Sequence, residues 1–202
     1  MIKCVVFDIG GVVWNYKPFF SALFDRWGNL INKSGQEMKA QFDLIYQKLE
    51  LGQLKLDDWL RELGGSDPLE EARRAFADVS KEYFETGLDE EILGLIGKLK
   101  RRGLAVGCLS NIENFMMPIQ KMINGRTRFD FRVLSWQVGA RKPMPGIYRR
   151  IFHYGSWQPN EVVFIDDKKE NIVGAERIGI KGILFSNTDE LIGKLLALGI
   201  RF

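Results

Sequence analysis

Five polar residues stand where apolar runs of the chain stop. Asp8 follows Ile2-Lys3-Cys4-Val5-Val6-Phe7, Ser110-Asn111 follow Leu104-Ala105-Val106-Gly107-Cys108-Leu109, and Asp166-Asp167 follow Val162-Val163-Phe164-Ile165. A sixth, Lys142, opens the stretch Lys142-Pro143-Met144-Pro145. If Asp8 and Asp166 came side by side, they would concentrate a negative charge that a hard cation such as Mg²⁺ relieves, and that cation would draw in phosphate. Ser110 offers a hydroxyl and nearby backbone N–H groups to phosphoryl oxygens, Lys142 offers a cation, and the Gly10-Gly11 turn lets backbone approach a ligand closely. With the metal in place, Asp8 keeps an oxygen free to attack phosphorus and form an aspartyl-phosphate. Taken singly, each residue has an ordinary reading as a turn, a cap or a solvated charge. Their order along one alternating pattern is what points to phosphoryl chemistry.

That pattern is a series of strand and helix units. The runs at 2–7, 104–109, 131–134, 162–165 and 182–185 are short, apolar and without alternation, as strands buried on both faces are. Between them lie helical stretches at about 90–102, which stops at Gly103, from Lys142 onward, at 171–178, and after Asn187, which caps the last helix. Strands without alternation, separated by helices, predict an α/β fold with a parallel sheet covered on both faces. From Pro18 to about Tyr83 the chain is instead continuously helical, aromatic and charged. Ser34-Gly35-Gln36-Glu37 there reads as a capping box, and Asp67-Pro68-Leu69-Glu70 as a second helix start.

Composition narrows the chemistry. Of 202 residues, 46% are apolar and 27% charged, enough for a buried core and too apolar for a disordered chain. Twenty-nine basic against 26 acidic residues leave a net charge of +3. The basic residues are scattered, and Lys98-Leu99-Lys100-Arg101-Arg102 and Arg149-Arg150 fall late in helical patterns, so no nucleic acid partner is expected. Cys4 and Cys108 read as buried core residues, which fits a cytoplasmic location. No apolar run reaches the ~18 residues of a membrane span, and Asn32-Lys33-Ser34 reads as a chance glycosylation triplet. The only histidine, His153, has no acidic or hydroxyl neighbour in sequence, so carboxylates must carry any reaction.

On these residues the chain resembles the haloacid dehalogenase-like hydrolase superfamily, in the branch of small phosphatases with a helical cap after the first strand. Val5-Val6-Phe7-Asp8-Ile9-Gly10-Gly11-Val12-Val13 is similar to the nucleophile loop of that family. Gly107-Cys108-Leu109-Ser110-Asn111 is similar to its second motif, Gly139 to Tyr148 to the lysine motif, and Val163 to Asn171 to the acidic motif. The resemblance implies a Rossmann-like core at 1–14 and 85–202 and an inserted α-helical cap at 15–84. It also implies Asp8 as nucleophile, and Mg²⁺ held by Asp8, the Gly10 carbonyl, Asp166 and Asp167. Gly11, Ser110, Asn111 and Lys142 would bind phosphate, with Lys142 bridging Asp8 to the phosphoryl group and Asn171 steadying the acidic loop. The substrate would be a small phosphorylated metabolite, a sugar phosphate among the candidates.

One position departs from the family pattern. The usual second aspartate, two residues after the nucleophile, protonates the leaving oxygen and later activates water. Here that position is Gly10, and a contribution worth typically ~10²–10⁴-fold loses its agent. Three readings follow: a phosphatase acting on a good leaving group or with another acid, a degraded member that binds a phosphate ligand or a protein partner without turnover, and dehalogenation. The last is disfavoured by metal-site acids it does not require. Trp14 and Trp136 are candidate pocket walls, Gln137 stands where similar sequences often carry an acid near Lys142, and Tyr46, Gln47 and Lys48 are candidates to face the ligand from a cap helix.

Overall fold

The protein is described by a computed structural model covering residues 1–64 and 69–201. Five strands, β1 (Cys4–Phe7), β2 (Ala105–Ser110), β3 (Phe131–Leu134), β4 (Val162–Asp166) and β5 (Lys181–Leu184), form one sheet in the order β3-β2-β1-β4-β5. Each neighbouring pair runs parallel. The α/β sheet expected from the apolar runs is therefore present. Successive side chains of a strand point to opposite faces. Val5 and Phe7 accordingly join a large core on one face, while Cys4 and Val6 join a second core with Tyr148 and Phe164 on the other. Both faces are covered, which is why the strands carry no polar alternation.

Between β1 and the helix α5 (Glu90–Arg101) lies a helical insertion: α1 (Lys17–Leu30), α2 (Gly35–Glu50), α3 (Leu56–Gly64) and α4 (Leu69–Tyr83). α2 starts as its sequence predicts, with the Glu37 N–H donating to the Ser34 hydroxyl at 3.2 Å and the Ser34 N–H to the Glu37 carboxylate at 2.8 Å. The helix start expected at Asp67-Pro68 lies outside the described residues. Aromatic rings hold the insertion together and tie it to the sheet. Phe115, from the segment after β2, meets Trp27, Phe42 and Phe76 of the insertion at ring-centroid distances of 6.2, 6.3 and 5.7 Å.

The remaining helices are α6 (Met117–Thr127), α7 (Ser135–Val138), α8 (Pro145–Arg149), α9 (Lys169–Glu176) and α10 (Thr188–Ala197). Asn187 caps α10, accepting from the Glu190 N–H at 2.9 Å. Both cysteines are buried and unpaired. Among the described residues, no helix is long and apolar enough to cross a membrane.

Strand order decides where a site can form. From β1 the chain moves outward through β2 and β3, then returns to place β4 on the other side of β1. Open parallel sheets bind ligands outside the strands' carboxyl ends at such a reversal. Phe7 is in register with Ile165, so Asp8 and Asp166 leave the sheet side by side.

Candidate active site

Lys142 stands at the centre of this crevice. Its side chain is 1% exposed, and its ammonium reaches Asp8 Oδ1 at 2.8 Å, Asp166 Oδ2 at 2.7 Å and the Leu109 carbonyl at 3.2 Å. A lysine has three N–H bonds to give, and here three acceptors from three adjacent strand ends take them. Burial alone would lower the Lys142 pKa, but Asp8 and Asp166 hold it above the usual lysine range. For Asp8, burial dominates and pushes the carboxyl up to about 7, with Lys142 pulling against it and Asp166 adding to it.

The supports of this triad are themselves held. Asn171 donates to both oxygens of Asp166, at 2.9 and 3.0 Å, and the Lys168 N–H donates to Oδ1 at 2.8 Å. Asn171 thus steadies the acidic loop as the motif implied, and the Tyr148 hydroxyl holds the Asn171 carbonyl at 2.8 Å. Ser135 grips the loop after β2 by accepting from the Ile112 N–H at 2.9 Å and donating to its carbonyl at 3.1 Å. Nothing in the sequence around Ser135 pointed to that role.

Two residues expected to bind phosphate have polar groups engaged within the chain. The Asn111 side chain accepts from the Lys142 N–H at 2.8 Å and donates to the Lys142 carbonyl at 3.1 Å, so its amide clamps the lysine's backbone. Any contact from Asn111 to phosphate is left to its main chain. The Gly11 N–H is likewise spent, donating to the Trp14 carbonyl at 2.9 Å. What Gly11 supplies is conformation and room. Its φ is +83°, and a Cβ there would lie 2.4 Å from Asp167 Oδ2. Ser110 is buried at the end of β2 and lines the cavity.

Asp8, Asp166 and Asp167 each bring a carboxylate oxygen within 4.8 Å of the others. Asp167 Oδ1 is buried without a hydrogen-bond partner, and burial followed by the charge of Asp166 raises its pKa. An acidic cluster with a bare buried oxygen fits a hard divalent cation, which prefers oxygen ligands.

From Asp8 a cavity runs between the insertion and the segment after β2. Trp14, Tyr16, Phe20 and Tyr46 line it, as do Ile112, Glu113, Met116 and Gln120 from the segment after β2. Trp14 and Tyr46 therefore face the site. Gln47 and Lys48 are exposed, and Trp136 is absent from the cavity's lining. Gln137 is exposed too, and the neighbour of Lys142 in sequence, Arg141, pairs with buried Glu50 of α2 at 2.7 Å. His153 is exposed and takes no part in the cavity.

The profile of the haloacid dehalogenase-like hydrolase family matches residues 2–179, and the chain belongs to that family. It is 30% identical over 193 residues to the D-ribitol-5-phosphate phosphatase of Bacteroides thetaiotaomicron, covering 90% of each chain. It is 27% identical over 190 residues to the sesquiterpene phosphatase astK of Aspergillus oryzae, covering 90% of this chain and 88% of that one. Among solved structures, a HAD family enzyme of Bacteroides thetaiotaomicron in complex with magnesium and inorganic phosphate superposes with a TM-score of 0.72 at 22% identity, covering 95% of this chain and 99% of that one. A 2-haloacid dehalogenase from Pseudomonas syringae gives 0.68 at 16% identity, covering 99% and 100%. At such identities the likeness is one of fold.

Proposed function

We propose that the protein is a Mg²⁺-dependent phosphatase that hydrolyses a small phosphorylated metabolite through an aspartyl-phosphate on Asp8. The observation that carries this reading is the buried Asp8–Lys142–Asp166 triad at the strand reversal, with the unpartnered oxygen of Asp167 beside it. The names of two relatives aligned along nearly the whole chain, both phosphatases, support it, as does the magnesium and phosphate complex of a structural neighbour.

Asp8, Asp166, Asp167 and the Gly10 carbonyl are the residues that would hold Mg²⁺. The bound ion would offset their charge and polarise the phosphoryl oxygens. The chain's own residues do the rest. Lys142 opposes the burial that favours the protonated acid, and it is the carboxylate form of Asp8 that would attack phosphorus. A new bond forms from the Asp8 oxygen to phosphorus while the ester P–O bond breaks and its electron pair leaves with the alcohol oxygen. Water then attacks phosphorus, returning the Asp8 carboxylate and releasing phosphate. Ser110 and Lys142 line the cavity beside Asp8; the Ser110 hydroxyl would take one phosphoryl oxygen, and the Lys142 ammonium would take another by giving up one of its three present acceptors. Residues 15–84 act as a cap over a core of 1–14 and 85–202, and Tyr16, Phe20, Tyr46 and Glu50 carry the cap's part of the cavity wall.

Gly10 leaves the departing alcohol without a side-chain acid at the usual place. A Cβ at Gly10 would lie 3.1 Å from the Tyr16 ring, so a side chain there would need that ring to shift by a few tenths of an ångström. This contact favours a second reading, a protein that binds phosphate ligands without turnover. The working partner on either reading is a small phosphorylated molecule, met in the cytoplasm, where two unpaired buried cysteines are at home. Purified protein with Mg²⁺ is expected to hydrolyse p-nitrophenyl phosphate, and Asp8→Asn to abolish it. Phosphate binding without hydrolysis of any ester in a broad panel would establish the second reading instead.

A further inference from the structure

The cavity beyond Asp8 is lined mainly by carbon. Trp14, Tyr16, Phe20, Ile112, Met116 and Ile119 all line it. A polyol pressed between these side chains would lose water from several hydroxyls with few partners to replace it, at roughly 1–3 kcal/mol for each one left unpaired. Besides Trp14 Nε1, which lies beside Gly87, two side chains on the wall carry a bare polar atom that the phosphoryl chemistry does not use. Glu113 is 2% exposed and Gln120 1% exposed, and both line the cavity. Glu113 Oε1 and Gln120 Nε2 have no hydrogen-bond partner.

Their surroundings narrow what could satisfy them. Tyr46 interacts with Glu113 through its hydroxyl, and Glu50 beyond it is paired with Arg141. One acceptor and one donor remain among the lining residues. A hydroxyl has the chemistry to answer both, accepting from the Gln120 amide and donating to the Glu113 oxygen. Burial pushes Glu113 up to about 8, so the acid is mostly neutral near neutral pH and calls for no cationic group.

Resting on the phosphatase reading, we propose that the substrate is the phosphate ester of an alcohol with a hydrocarbon body and one hydroxyl distal to the phosphate, seated between Glu113 and Gln120. Sugar and polyol phosphates are then poor substrates. The test compares kcat/KM for ω-hydroxyhexyl phosphate, hexyl phosphate and ribitol 5-phosphate, with p-nitrophenyl phosphate as the measure of phosphatase competence. The hydroxyhexyl ester is expected to exceed each of the other two by about 10-fold or more, as a hydroxyl-binding site discriminates against an analogue that leaves it unpaired. In Gln120→Leu the ratio of hydroxyhexyl to hexyl ester is expected to fall to near unity. A preference for ribitol 5-phosphate, or no advantage from the distal hydroxyl in the wild-type protein, overturns the proposal while leaving phosphatase activity standing. If p-nitrophenyl phosphate is not turned over either, the phosphatase reading fails, and calorimetric binding of the same three esters decides the pocket. The same order of affinity upholds the assignment of Glu113 and Gln120, and any other order overturns it.

Discussion

At one end of the cavity the Lys142 ammonium has an acceptor for each of its protons, and Asp166 receives Lys142, Asn171 and the Lys168 N–H at once. Along its wall, Glu113 and Gln120 are as deeply buried, yet each keeps a polar atom unpartnered. Buried polar groups are normally satisfied, and leaving one bare costs roughly 1–3 kcal/mol. The first arrangement is complete within the chain, so its geometry is set by folding. The second is completed by what enters, which is where selection among leaving groups belongs.

Removing the cation should separate the two ends most sharply. Lys142→Met leaves Asp8 and Asp166 adjacent and buried without their shared partner, and breaking such a pair costs about 3–5 kcal/mol. Thermal unfolding is expected to show that loss, and hydrolysis of p-nitrophenyl phosphate to fall by at least about 10²-fold, the scale of losing one positioned electrostatic group. A variant as stable as the wild type would mean the triad is not the structural centre described here. Asn111→Ala comes next. It deletes both hydrogen bonds to the Lys142 backbone, worth about 2 kcal/mol together, and urea unfolding should register the difference.

The wall responds to pH. Glu113 has its pKa raised from 4.5 to about 8, so the folded protein holds a proton that the unfolded chain releases. The stability this contributes is complete below about pH 4.5 and is lost as pH rises through about 8. Wild-type protein should therefore lose about 1 kcal/mol between roughly pH 7 and 9 that Glu113→Gln does not lose. Parallel stability profiles for the two proteins would place the titration elsewhere. The smallest effect is expected at Gly10→Asp. With the Tyr16 ring against that position, an acid placed there should raise hydrolysis of alkyl phosphates by less than about 10-fold, well short of a freely placed general acid. A larger gain would show that the ring yields easily.

The phosphate end was legible because its residues sit at strand ends, and apolar runs mark strand ends in the sequence. Asp8 and Asp166 meet because β1 and β4 are neighbours, which follows from the parallel order. The clamp that Asn111 makes was not legible, since its partner is main chain 31 residues away and main chain carries no sequence signal. Arg141 and Glu50 are 91 residues apart, and their pairing depends on how the insertion folds back over the sheet. Glu113 and Gln120 lay unnoticed in helical text for a similar reason. Only the assembled cavity shows that their polar atoms are buried and bare.

The central claim is that Asp8 carries the phosphoryl group. Protein mixed with Mg²⁺ and a phosphate-labelled ester, quenched in acid during turnover and mapped by peptide, tests it most directly. Label is expected on the peptide bearing Asp8 and absent from Asp8→Asn. Turnover that proceeds with no label at Asp8, or with label on another residue, would contradict the account.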